Sequence, residues 1–114
     1  MRRITLSTIA LVLTAIPALA QNTAPKGEMA TGRKLFETKG CYSCHGYVGQ
    51  GSREGPRLTP PIAYAAFVAE LRMPRLIMPP YVESVVSDQQ AADMYAYLAS
   101  LPKPPDPKSI ELLK

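Results

Sequence analysis

Two thiols separated by two residues, with an imidazole at the next position, occur once in this chain, as Cys41-Tyr42-Ser43-Cys44-His45. That spacing suits one task well. Each sulfur can form a thioether with a vinyl group of a single haem, and the adjacent imidazole then lies under the iron as its proximal ligand. The vinyls sit on neighbouring pyrrole rings, so one helical turn carries all three contacts. A five-residue pattern is only moderately specific, and competing chemistry has to be weighed. A thioredoxin-type CxxC pair expects strand–helix–strand surroundings, and no such pattern flanks these residues. Structural zinc is almost always four-coordinate, whereas the whole chain has two Cys and one His. A bland exposed turn would leave two reactive thiols in an oxidising compartment. Haem attachment is the reading that survives.

The other face of the iron then needs a ligand, and with no second histidine a methionine is the natural candidate. Five methionines are available. Met1 would leave with an N-terminal leader, and Met29 and Met94 fall on helical faces where a core role is the better assignment. Met73 and Met78 both sit in a loop over 72–86, each followed by proline. Met78-Pro79-Pro80-Tyr81 has a rigid, non-helical backbone suited to holding a thioether toward the iron. Met73 directly follows a helix, where packing is its competing role. The residues alone favour Met78 and leave Met73 open.

The start of the chain reads as a signal peptide over residues 1–20. Met1-Arg2-Arg3 is basic, the run from Ile4 to Ile16 is broken only by Thr5, Ser7, Thr8 and Thr14, and Ala18-Leu19-Ala20 offers a cleavage site. The run is shorter than the ~20 residues a spanning helix needs and stops at Pro17, so no membrane span is expected after cleavage. Export places the mature chain in the periplasm, where attachment of haem through thioethers is expected. Thirteen Lys and Arg against nine Asp and Glu give a formal charge of +4. Loss of Arg2 and Arg3 leaves eleven basic side chains, and two haem carboxylates cancel most of the remaining excess. No lysine cluster marks one face, so nucleic acid is not an expected partner.

The elements that must position these groups are helices. After a flexible segment over 21–26, a helical pattern runs from about Glu28 to Lys39, with Met29, Gly32, Leu35 and Phe36 on one face and Gly40 where a C′ residue belongs. Residues 46–60 hold Gly46, Gly49, Gly51, Gly55, Pro56 and Pro60 and read as an irregular loop. No Lys-Ser/Thr pair follows these glycines, so they do not make a phosphate-binding loop. Pro60-Pro61 is expected to open a helix whose apolar face is Tyr64, Phe67, Val68 and Leu71. Ser87 and Gln90 form a capping box, and the helix it starts carries Ala91, Met94, Tyr95 and Leu98 until Pro102. The tail over 103–114 is proline-rich and then too apolar, at Ile110, Leu112 and Leu113, for a free linker. The expectation is an all-α domain over 27–102, three to five helices and long loops around one covalent haem. With no Trp and two Phe the core is modest, so the apoprotein should fold poorly without the cofactor.

Over 27–102 the chain resembles a small bacterial class I c-type cytochrome. The likeness rests on several segments in order: Gly32 and Phe36, Cys41 to His45, Gly55-Pro56-Arg57-Leu58, Met78 to Tyr81, and Asp93-Met94-Tyr95-Ala96-Tyr97-Leu98. The resemblance implies that Met78 is the axial ligand and that the Pro56 carbonyl accepts a hydrogen bond from the His45 ring, orienting it. It also implies that Gly32, Phe36, Met94 and Tyr97 form a crossing of the terminal helices. Many relatives hold a haem propionate with Trp, absent here, leaving Tyr64, Tyr81, Arg53, Arg57, Arg72 and Arg75 as substitutes.

The function so implied is one-electron transfer, not enzymatic turnover. The segment Leu71 to Pro107 resembles cytochrome subunits fed by periplasmic dehydrogenases, with an oxidase or another cytochrome as acceptor in the respiratory chain. Two alternatives come from other classes. A subunit held permanently to a dehydrogenase would use the tail as a strap, and a peroxidase or gas-binding protein would need an open sixth position.

Overall fold

The computed structural model describes residues 24–113; the expected signal peptide lies outside them. Four α-helices follow in order: α1, Met29–Thr38; α2, Tyr42–His45; α3, Tyr64–Arg72; and α4, Asp88–Ser100. Short 3-10 turns at Pro107–Ser109 and Glu111–Leu113 complete the chain. No strand occurs among the described residues, and none of their helices is long and apolar enough to cross a membrane.

The frame is the crossing of α1 with α4. A Cβ built on Gly32 would fall inside the contact radius of the Asp93 carbonyl and 2.9 Å from the Met94 nitrogen, so the two backbones touch there. One turn further along, the Phe36 and Tyr97 rings meet at a tilt of 56° with centroids 5.7 Å apart, and both are buried. Asp93 is buried as well, and its carboxylate accepts from the Glu28 backbone nitrogen at 2.8 Å and from Gln89 Nε2 at 3.0 Å. A carboxylate of α4 thus satisfies a donor at the start of α1, which removes the cost of burying it.

Both helix ends named in the sequence form as expected. Ser87 and Gln90 make the reciprocal capping box of α4. At the end of α1, Gly40 has a φ of 78°, its nitrogen donates to the Glu37 carbonyl at 3.1 Å, and Cys41 donates to Phe36 at 3.1 Å. These two bonds define a Schellman motif, and only glycine enters its left-handed position without steric cost. The chain is thereby turned back so that Cys41 packs against both buried clusters, that of Leu71, Val86, Ala91 and Met94 and that of Phe36, Tyr97 and Leu98.

Three details differ from the sequence reading. α3 begins at Tyr64, not at Pro60-Pro61, because Pro61 disfavours a helical Pro60 and the backbone stays extended through Ala63 (φ −49°, ψ 138°). Met29 is 51% exposed and is not part of the core; it opens α1, outside the crossing at Gly32. In the tail, Leu112 and Leu113 are exposed, and only Ile110 is half-buried.

Candidate functional site

A cavity of about 640 Å³ opens between α1, α3, α4 and the two long loops. That size lies within the roughly 300–1,000 Å³ of cofactor pockets. Phe36, Phe67, Leu71, Met94 and Leu98 supply its helical wall. Cys41 and His45 enter from the thiol–imidazole turn, Pro56 and Leu58 from the first loop, and Met78 from the second.

Cys41 takes helical angles as the N-cap of α2 (φ −58°, ψ −36°), so Cys41 and Cys44 stand three residues apart on one helical turn. Their surroundings differ. Cys41 is half-buried, and burial pushes its thiol up to about 11, partly opposed by a backbone hydrogen bond. A reactive thiolate is therefore disfavoured there, whereas a thioether carries no charge to desolvate. Cys44 is exposed and does not line the cavity. Among the described residues no three His, Cys, Asp or Glu side chains gather as a metal-binding group, which leaves the zinc alternative without its ligands.

His45 Nδ1 lies 2.8 Å from the Pro56 carbonyl oxygen, the contact the resemblance implies. A carbonyl can only accept, so Nδ1 carries the proton and Nε2 keeps the free lone pair. Gly55 makes this approach sterically feasible. A Cβ there would lie 2.9 Å from the Cys44 carbonyl oxygen and 3.0 Å from His45 Cε1 and Nδ1, tighter than real side chains tolerate. The loop is tied to the turn beneath it by Gly51 donating to His45 at 2.8 Å, and closed on itself by Leu58 donating to Gly49 at 2.8 Å. The sequence reading placed Gly55 in the loop and in the Gly55-Pro56-Arg57-Leu58 segment of the resemblance without giving it this role; its place before Pro56 was the available signal.

Met78 is half-buried and lines the cavity, whereas Met73 is 78% exposed and does not. Of the side chains considered for haem carboxylates, only Arg57 and Arg75 line the cavity. Arg75 pairs with Glu70 at 2.9 Å, and hydrogen bonding from its backbone nitrogen and then its side chain holds the Glu70 carboxyl below the usual range. Arg72 is committed to Tyr81, Val86 and Asp88. The Tyr81 hydroxyl donates to the Lys39 carbonyl at 3.2 Å. Unforeseen in the sequence were Ile62, Leu76 and Ile77, which line the cavity although 53%, 85% and 85% exposed. The run Leu76-Ile77-Met78, apolar inside a proline-punctuated loop, was their signal. Apolar walls, a half-buried thiol that suits a thioether, an imidazole with Nε2 free and a thioether side chain together fit a haem.

The family model for cytochrome c oxidase, cbb3-type, subunit III, matches residues 27–98. The chain belongs to this family, whose domain is that of the class I c-type cytochromes. No match was found among curated proteins or among solved structures. The four helices are the all-α cytochrome c fold. Membership brings covalently bound haem c, electron transfer and redox protein partners with it.

Proposed function

We propose that the protein is an exported, periplasmic carrier of single electrons, with one haem c attached through Cys41 and Cys44 and ligated by His45 and Met78. It takes electrons from a dehydrogenase and delivers them to an oxidase or another cytochrome. The observation that carries this reading is the convergence of Cys41, His45, Pro56 and Met78 on one apolar cavity. When bound, haem supplies the one-electron couple. Pro56 holds the His45 ring in the tautomer that offers Nε2, and the hydrogen bond raises the basicity of that nitrogen. Met78 contributes a soft thioether, and a Met/His pair favours a raised reduction potential. Phe36, Phe67, Leu71 and Met94 exclude water from the iron. The exposed Leu76 and Ile77 at the cavity rim suit brief apolar contact with a partner.

Oxidised and reduced spectra of the purified protein test the reading. A low-spin haem with the weak near-infrared band of sulfur–iron ligation is the expected result, and a high-spin ferric spectrum would refute Met78 ligation. The alternative of a permanent subunit draws on the exposed Leu112 and Leu113 of the tail. Native-size measurement decides between them: a carrier elutes alone, and a subunit with its complex.

A further inference from the structure

The segment that carries Met78 is held at its neck, not along its length. Met73 donates to the Ala69 carbonyl at 2.8 Å as α3 ends, Arg75 donates to Glu70 through its backbone nitrogen at 3.2 Å and Nε at 2.9 Å, and Tyr81 donates to the Leu71 carbonyl at 2.7 Å where the segment returns. Residues 76–80 make no hydrogen bond to any described residue, and Leu76 and Ile77 are each 85% exposed. Arg72 stands at the neck. Its Nη1 donates to the Tyr81 carbonyl at 2.6 Å and to the Val86 carbonyl at 2.7 Å, while Nη2 meets Asp88 Oδ1 at 2.6 Å. The Arg72 side chain is only 20% exposed and its two carbonyl contacts are half-buried, whereas the Asp88 carboxylate at the other prong is open to water. One planar fork therefore joins the end of α3, the returning arm of the loop and the start of α4.

We infer that Arg72 is the positioning residue that sets how firmly Met78 is held in the site, an inference that rests on Met78 as the sixth ligand. A loop with no hydrogen bond of its own over 76–80 can lift as a unit, and beyond the packing of Met78 on the cluster of Leu71, Val86, Ala91 and Met94 the cost of lifting falls on the neck. Each exposure of the iron lets an added ligand compete with the thioether, so the ligand's apparent affinity reports the open population. Lysine is not an equivalent holder, because its point-like ammonium cannot reproduce the two-pronged geometry of the guanidinium.

The test is imidazole titration of the ferric holoprotein, read from the shift of the main haem absorption band, which every variant carries. Arg72→Gln should tighten imidazole binding on the order of tenfold or more, the factor that one charge-assisted hydrogen bond is worth. Arg72→Lys should fall between it and the parent. Met78→Ala sets the upper limit and separates the two claims: no gain in affinity there overturns Met78 ligation itself. A gain for Met78→Ala with none for Arg72→Gln overturns only the role of Arg72. Asp93→Asn, which weakens the α1–α4 crossing away from the cavity, is the control for general instability. It should lower the melting midpoint and leave imidazole affinity unchanged; a gain equal to that of Arg72→Gln would overturn the inference. If Arg72→Gln does not mature, Arg72→Lys decides alone, and an affinity equal to the parent's refutes the proposal.

Discussion

Gly32→Ala is the sharpest test of how the frame is held, because two effects of opposite sign meet at this position. In an open helix the change would stabilise by about 1 kcal/mol, since alanine loses less backbone entropy than glycine. At Gly32 the added methyl would lie inside the contact radius of the Asp93 carbonyl carbon and oxygen, with the Met94 nitrogen 2.9 Å away. These are backbone atoms of α4, which cannot rotate aside like a side chain. Relief requires the helices to separate, loosening the Phe36–Tyr97 contact beyond them. Overpacking of that kind costs up to about 3 kcal/mol, and the lack of a movable neighbour places Gly32 at the upper end. The net loss is about 2 kcal/mol, or a midpoint lower by roughly 8–16 °C for a domain of this size. Thermal unfolding of the ferric holoprotein, followed by far-ultraviolet circular dichroism, measures it. A midpoint unchanged or raised would show that α1 and α4 do not touch at Gly32, and the packing argument would fail with it.

The site yields four further tests. Because only Met78 of the two loop methionines lines the cavity, Met78→Ala should abolish the near-infrared band and Met73→Ala should keep it; the reverse would move the ligand five residues back. The Cys41 and Cys44 spacing leads us to expect haem that stays with the polypeptide through acid–acetone extraction, with Cys41→Ala lowering the yield sharply; haem released from the parent protein would exclude thioethers. Phe36 is 1% exposed, so Phe36→Ala should cost about 3–5 kcal/mol in chemical denaturation, and a loss under about 1 kcal/mol would contradict its burial. With His45 and Met78 both bound, the reduced protein should not react with carbon monoxide near neutral pH, while reduced Met78→Ala should; rapid binding by the parent would favour the gas-binding reading.

Legibility in the sequence followed the range of the interaction. The caps at Gly40 and Ser87 were readable because they depend on neighbours within five residues, and both form. The faces of α3 and α4 were readable from spacing, with Leu71, Met94 and Leu98 all buried. The start of α3 was misjudged because proline at a first turn and proline after an extended residue look alike until Pro61 is considered against Pro60. Met29 was misjudged because periodicity gives a face but not where the facing helix ends. The role of Gly55 is a contact with a ring ten residues earlier, and the neck at Arg72 joins residues 9 to 16 positions away. Neither leaves a local pattern.

The core and the cavity share residues. Among the described residues eight apolar side chains are buried, and four of them, Phe36, Leu71, Met94 and Leu98, also face the cavity. Half of the core therefore completes its packing only against whatever fills that space. An atom beside a void forfeits the contacts it lacks on that side, so the ligand-free chain carries the cost in its own central side chains. A group that binds only the folded state returns those contacts and adds its binding free energy to stability. Cys41 shows how position and chemistry coincide. The Schellman turn after α1 places its sulfur among the packed side chains, where the free thiol resists ionisation and an uncharged thioether is the form that burial favours. The attachment proposed at this position would join the cofactor to the residues that end α1, so that holding the haem and holding the helix crossing would become one event.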